Sequence, residues 1–280
     1  MSGVLRSLLF TPANRPQAFE AALRSGADCV CLDLEDAVPL DAKADARPDA
    51  LAFLGSVDAG PIRALRINAL SSATGVRDLA SLTDMLPRAG LIMLPKIASA
   101  AELRLVASIL EEGGSDTGLI ALVETAAGLA AVHEIAQATP RLHALMYGGV
   151  DLSVDLGAAR DSDTLRMARS RIVQAAKAAE IGVIDVPELD FRNADTVAHA
   201  ARTAAENGFT GKAAIHPSNL AAINAAFTPS AEEITRAQEI VAAFEASPSG
   251  LVVIDGTLIE APVIKGMHRR LAIAKAAGVL

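Results

Sequence analysis

The chain reads as an α/β protein of the TIM (β/α)8 barrel class with a C-terminal helical lid or tail. Three observations predict this. Short apolar runs alternate eight times with helical stretches between residues 5 and 226, more βα units than an open doubly wound sheet usually carries. The runs are apolar throughout instead of alternating, as strands buried on both faces are. Polar residues gather just after each run, where a parallel barrel opens its site.

Taken in order, the predicted strands are Leu5–Phe10, Asp28–Asp33, Ile62–Ile67, Gly90–Leu94, Leu119–Val123, Leu142–Tyr147, Gly182–Val186 and Lys212–Ile215. The predicted helices are Pro16–Ser25, Asp41–Leu54, Ala73–Leu86, Ala100–Glu111, Ala126–Ala138, Thr164–Glu180, Ala194–Asn207 and Ser218–Ala226. Ser99 stands where a helix N-cap is needed, and Gly26, Gly113 and Gly208 follow helices as stop signals. Residues 1–229 make the barrel. Residues 230–280 form a tail with a helix at Ser230–Ala246, an apolar run at Leu251–Ile254, a turn from Asp255 to Pro262 and a last helix at Pro262–Ala276. A tail of this kind is expected to cover the mouth of this barrel or of a neighbour's.

Composition excludes several classes. Apolar residues make up 51% of the chain but aromatics only 3%, with no Trp, so the Ala-rich helices must pack closely. A net charge of −8 argues against a general nucleic-acid binder, which needs a basic face. No apolar stretch approaches the roughly 18 residues of a membrane span, and the apolar run Ser7–Phe10 is too short for a secretory signal. Cys29 and Cys31 fall on one face of one strand, poorly placed to bridge and without partners for zinc. They suit the core of a protein in the reducing cytoplasm. No Gly-rich dinucleotide or phosphate loop occurs.

The stretch Gly118–Leu156 concentrates the chemistry. Glu124 ends one strand and Asp151 follows the next, just past Gly148 and Gly149. Two carboxylates converging at successive strand ends suit a hard divalent cation such as Mg²⁺, which takes one or two protein carboxylates and leaves sites for water and substrate. Gly148 and Gly149 would let backbone approach a ligand closely. Asp151, Ser153 and Asp155 imitate the start of a calcium loop, but Leu156 and Ser162 occupy the positions where such a loop needs Gly and Glu. The other strand ends supply Thr11, Asn14 and Arg15; Asp33, Glu35 and Asp36; Arg66 and Asn68; Lys96; Glu188; and His216. Lys96 has no evident activator for Schiff-base chemistry.

Eight motifs then fall in order along nearly the whole chain: RSLLFTPANRP, GADCVCLDLEDAV followed by Lys43 and Arg47, LRIN, MLPKIAS, ALVETAAGL, YGGVDLSVDLG, GFTGKAAIHP and GTLIEAPV. Together they resemble the HpcH/HpaI aldolase superfamily, which includes the citrate lyase beta subunit and the malyl-CoA and citramalyl-CoA lyases. The resemblance implies a TIM barrel, a Mg²⁺ ion (with Mn²⁺ as the alternative), a homotrimer or hexamer, and reversible carbon–carbon cleavage of a carboxylated 3-hydroxyacyl thioester. The products would be an acetyl thioester, on CoA or an acyl carrier protein, and a 2-oxo acid. It further implies Glu124 and Asp151 as metal ligands and Arg66 as the arginine of the oxo-acid site. Glu35, Asp36 and Lys43 belong to a polar cluster at the mouth, with Asp36 as a reserve acid–base group. Gly149, Lys96 and His216 complete the substrate contacts. Glu260, in GTLIEAPV, is expected to exchange a proton with the thioester carbon; several relatives carry Asp there. Ala13 replaces a Gly common in the first loop. Two other readings fit the same residues: a metal-dependent pyruvate aldolase acting on a free hydroxy-oxo acid, and a barrel that binds without catalysing.

Overall fold

The computed structural model describes residues 5–56, 60–247, 251–254 and 256–280. Eight parallel strands close in sequence order into a barrel: β1 (Ser7–Pro12), β2 (Cys29–Asp33), β3 (Ile62–Arg66), β4 (Leu91–Leu94), β5 (Gly118–Val123), β6 (Leu142–Tyr147), β7 (Gly182–Asp185) and β8 (Gly211–Ala214). The outer helices are α1 (Phe19–Leu23), α2 (Lys43–Gly55), α3 (Ala73–Asp84), α4 (Ala100–Glu112), α5 (Ala126–Ala130), α6 (Val132–Ala136), α7 (Gly149–Asp155), α8 (Asp163–Ala178), α9 (Ala194–Glu206) and α10 (Leu220–Ala226).

Period-2 alternation sorts the strand residues into two cores. Leu8, Cys29, Cys31, Met93, Ile120, Leu122 and Met146 fill the barrel interior. Their alternate neighbours, among them Leu9, Val30, Leu32, Leu65, Ile92 and Ala121, meet the helices. Small alanines on those helices let them lie close to the sheet. Cys29 and Cys31 are free and buried, as the sequence leads one to expect, and burial pushes both thiols up.

Two elements depart from the sequence reading. The predicted helix Ala126–Ala138 is broken at Ala131 into α5 and α6; Arg171 of α8 donates to the Ala130 carbonyl at 3.2 Å, drawing that group out of the helical ladder. The segment after Gly148, for which no helix is predicted, forms α7, and Asp155 at its far end accepts the Ala126 N–H at 2.6 Å. The calcium-loop imitation is therefore a short helix that caps another.

The tail comprises α11 (Ala231–Glu245), an antiparallel pair β9 (Val252–Ile254) and β10 (Thr257–Ile259), and α12 (Ala261–Ala276). Ser230 and Glu233 form a capping box at the start of α11. Asp255, in the predicted turn, lies outside the described residues. Ile240, Ile259 and Ile264 give the tail a small core of its own. Gly266, Arg269 and Ile273 of α12 share a cavity with Leu5, Ile62, Leu91 and Gly182, at the amino ends of the strands. The tail thus sits at the end of its own barrel opposite the mouth, which leaves a neighbour's mouth, of the two expected places, for it to cover.

Candidate active site

Cross-strand register builds the mouth. Asp33 and Arg66 are partners at the carboxyl ends of β2 and β3, close enough for a two-pronged ion pair. Arg66 Nε donates to Asp33 Oδ1 at 2.7 Å and Nη2 to Oδ2 at 2.6 Å. Its remaining nitrogen, Nη1, lies 3.0 Å from Glu35 Oε2 and 3.4 Å from Asp36 Oδ2. The guanidinium also sits 5.0 Å from the Phe10 ring centroid. Although burial opposes its charge, these carboxylates hold it ionised well above its ordinary range. The two-pronged edge of Arg66 is therefore occupied by Asp33. Nη1, outside the Asp33 fork and shared with Glu35 and Asp36, is the nitrogen left for one charge-assisted contact with a developing oxyanion.

Lys96 follows β4 in the left-handed region, at φ 52°, a conformation a lysine adopts only when its surroundings require it. Its backbone N–H donates to Glu124 Oε1 at 2.9 Å. Its ammonium lies 2.6 Å from Glu35 Oε1, 3.4 Å from Asp151 Oδ2 and 4.0 Å from Glu124 Oε1. Burial disfavours this charge, but Glu35, Glu124 and Asp36 outweigh it and keep the amine protonated. An amine held in its charged form by neighbouring carboxylates makes a poor Schiff-base nucleophile.

Glu124 is buried at the end of β5, and Asp151 is half-exposed in the first turn of α7. Burial, reinforced by Glu35 and Asp151, pushes the Glu124 carboxyl up to about 8 against the opposing pull of Lys96. Gly148 is needed here: a Cβ on it would fall 2.4 Å from Glu124 Cβ and 2.7 Å from Oε2. At Gly149 a Cβ would meet the Tyr147 ring at 2.6 Å. Among the described residues no group of three or more His, Cys, Asp or Glu is poised for a metal. A pair of carboxylates beside two glycines nevertheless fits Mg²⁺, whose coordination water and substrate oxygens can complete once the Lys96 ammonium, 3.4 Å from Asp151 and 4.0 Å from Glu124, gives way to it. The sign of the Glu124 shift sets the pH dependence without metal. A carboxyl held above its unfolded value keeps its proton in the fold, so its stabilising contribution is full below about pH 4.5 and lost as pH rises through about 8.

Lys43 is buried beneath this surface. It donates to the Leu34 carbonyl at 2.6 Å, to Asn68 Oδ1 at 2.7 Å and to the Glu35 carbonyl. Asn68 donates in turn to Asp78 at 2.6 Å, and Arg47 reaches the same carboxylate at 2.7 Å. This chain staples the loop carrying Glu35 and Asp36 to the end of β3. Sequence reasoning missed a second network: Asp185 accepts from Arg169 and from the fully buried Lys212, each at 2.8 Å. A single charge in each of two four-residue strands, Asp185 in β7 and Lys212 in β8, gave no sign of it.

A cavity of about 480 Å³ opens between these groups, lined by Phe10, Asp36, Arg66, Glu124, Asp151 and Ile215 among others. Most predicted residues therefore converge. Three do not. Glu188 accepts the Asp190 N–H at 3.0 Å and closes a turn. His216 is exposed one residue beyond Ile215, its Nδ1 accepting the Ser218 N–H at 3.2 Å. Glu260 is exposed at the N-cap of α12, far from its own mouth.

This architecture places the chain among TIM-barrel enzymes that work at the carboxyl ends of their strands. A family model for HpcH/HpaI aldolase/citrate lyase matches residues 6–217. The mitochondrial citramalyl-CoA lyase of Homo sapiens is 32% identical over 289 residues, spanning 96% of this chain and 85% of the relative. The (3S)-malyl-CoA thioesterase of Cereibacter sphaeroides is 34% identical over 277 residues, spanning 97% of this chain and 95% of the relative. The crystal structure of the protein CitE from Mycobacterium tuberculosis in complex with magnesium, acetoacetate and coenzyme A has a TM-score of 0.82 at 31% identity, covering 99% of this chain and all of that one. The chain belongs to the HpcH/HpaI aldolase/citrate lyase family.

Proposed function

We propose that this protein is a Mg²⁺-dependent carbon–carbon lyase that reversibly cleaves a carboxylated 3-hydroxyacyl-CoA to an acetyl thioester and a 2-oxo acid. The observation that carries the reading is the meeting of Glu124, Asp151 and Arg66 round one cavity, in a chain whose relatives act on or bind CoA compounds. Glu124 and Asp151 would hold the Mg²⁺, with Mn²⁺ as a substitute. Bound there, the ion supplies Lewis acidity and a template for the oxo-acid oxygens. Arg66 would present Nη1 to the oxygen that becomes the oxo group, stabilising charge as Asp36, which lines the same cavity, takes the hydroxyl proton and the carbon–carbon bond breaks. The electron pair passes to the thioester α-carbon, which takes a proton and becomes the acetyl methyl. Lys96 positions Glu124 through its backbone and Glu35 through its ammonium, keeping both carboxylates ordered.

Magnesium must displace the proton that the buried Glu124 retains, so affinity should rise with pH towards about 8 and then level off. Titration calorimetry at several pH values checks this; an affinity independent of pH between 6 and about 8 would place the ion elsewhere.

Glu260 remains our choice for the proton donor to the thioester carbon, supplied by a neighbouring subunit. Its own barrel holds the tail at the wrong end, so it can reach a mouth only in a homo-oligomer; a trimer is the simplest closed ring, and a hexamer two of them. Two inactive variants, Glu260→Gln and Glu124→Gln, should then recover activity when unfolded and refolded together, because mixed rings contain intact mouths. Mixtures as dead as their components, or a monomer by light scattering, would exclude the arrangement. The free thiols of Cys29 and Cys31 suit the cytoplasm as a reducing compartment; the human relative is named as mitochondrial.

One relative named as a thioesterase favours a second reading, in which water cleaves the thioester and the carbon skeleton survives. An assay panel of acetyl-CoA or propionyl-CoA with glyoxylate, pyruvate or oxaloacetate separates the readings. The lyase condenses a thioester with an oxo acid, a thioesterase forms no such product, and a pyruvate aldolase acts only on the free hydroxy-oxo acid. A protein that binds without turnover would mark the barrel as catalytically lapsed.

A further inference from the structure

Lys96 touches both candidate metal ligands and a third carboxylate beside them. Among the described residues it is the only cation within 4.0 Å of either Glu124 or Asp151. Its three contacts are unequal. The one to Glu35 Oε1, at 2.6 Å, is a close charge-assisted hydrogen bond. Those to Asp151 Oδ2 and Glu124 Oε1, at 3.4 and 4.0 Å, act through charge alone. Glu35 and Glu124 are buried beside Asp151, and like charges crowded in this way need a cation among them. The backbone and the side chain of Lys96 divide the work. At φ 52° its N–H donates to Glu124 Oε1 at 2.9 Å, a bond that does not depend on where the ammonium lies. The side chain is 37% exposed, which leaves it room to move towards solvent. Arg66, clamped by Asp33 through two hydrogen bonds, has no such freedom.

We infer that the Lys96 ammonium is the resident counter-ion of the metal-free site: it compensates Glu124 and Asp151 until a divalent cation takes them, then withdraws from both while keeping its bond to Glu35. The carboxylates stay together before the metal arrives, and the metal must exchange with a charge the chain already holds. That exchange weakens metal binding and keeps the empty site ordered. The inference rests on the reading of Glu124 and Asp151 as metal ligands.

Titration calorimetry with Mg²⁺ on the wild type, Lys96→Gln and Lys96→Met tests it. Both variants keep the backbone N–H for Glu124 and lose the charge; glutamine also keeps a donor for Glu35. Each should bind Mg²⁺ about tenfold more tightly than the wild type, because a competing cation is gone from a partly exposed site. Lys96→Arg, which keeps the charge, should bind as the wild type does. Without metal the two neutral variants should melt below the wild type, and Mg²⁺ should raise their Tm by more. A side chain that only orders the metal ligands acts the other way. Unchanged or weaker Mg²⁺ affinity in both neutral variants would therefore overturn the counter-ion and leave the metal site intact. If neither variant folds, acetic anhydride labelling of the wild type decides. The Lys96 amine should label severalfold faster at saturating Mg²⁺, and equal labelling with and without the metal would overturn the inference. A wild type that binds no Mg²⁺, or Glu124→Gln binding it equally well, would overturn the metal site and the counter-ion together.

Discussion

Glu124→Gln and Asp151→Asn should each abolish cleavage while leaving the barrel folded. Changing residues that merely support a metal ligand costs roughly 10–100-fold in affinity, so losing a ligand's charge should cost more than about 100-fold. Glutamine at 124 can still accept the Lys96 backbone N–H, which now reaches Glu124 Oε1 at 2.9 Å. It also removes a carboxyl whose ionisation in the metal-free fold is opposed by burial. The metal-free Glu124→Gln protein should therefore melt no lower than the wild type above neutral pH, while the rise in Tm on adding Mg²⁺ disappears. Calorimetry showing wild-type Mg²⁺ affinity in both variants would move the metal site away from these strand ends.

Arg66→Lys is expected to lose on the order of 10²–10³ in kcat/KM, the usual cost of removing one charged hydrogen bond from a transition state. Lysine keeps the charge but not the fork. It cannot pair with both oxygens of Asp33 and still reach Glu35, as Arg66 does at 2.7, 2.6 and 3.0 Å. Asp33 and Glu35 are both buried, so one would be left under-compensated, and the mouth should loosen. The thioester product should still bind, because the role proposed for Arg66 is at the oxo-acid end of the reaction. Near wild-type efficiency in this variant would rule out the role.

Much of this arrangement is legible in the sequence because it depends on local rules. The strand Leu142–Tyr147 is found at the predicted residues, since an apolar run bounded by a turn and a glycine pair admits few alternatives. Strand ends face the mouth in any closed parallel barrel, so Glu124, Asp151, Arg66 and Lys96 converge as the topology requires. What the sequence conceals depends on contacts between distant segments. That Asp33 occupies the paired edge of Arg66 follows from β2–β3 register. The left-handed conformation of Lys96 follows from the pull of Glu124 and Glu35 on a residue whose type gives no hint of it. The break at Ala131 needs Arg171 from another helix, and the placement of the tail beneath its own barrel shows only in the cavity that Arg269 and Ile273 share with the amino ends of the strands. The Phe191–His216 stack joins two loops that are adjacent only because the barrel closes β7 against β8.

The most direct test is to identify the products formed from malyl-CoA and citramalyl-CoA by the Mg²⁺-loaded protein, with a parallel sample treated with EDTA and then restored with Mg²⁺. The account predicts acetyl-CoA and an equivalent of 2-oxo acid, their formation stopped by EDTA and recovered with the metal. Free CoA with an intact hydroxy acid, or cleavage indifferent to EDTA, would contradict it.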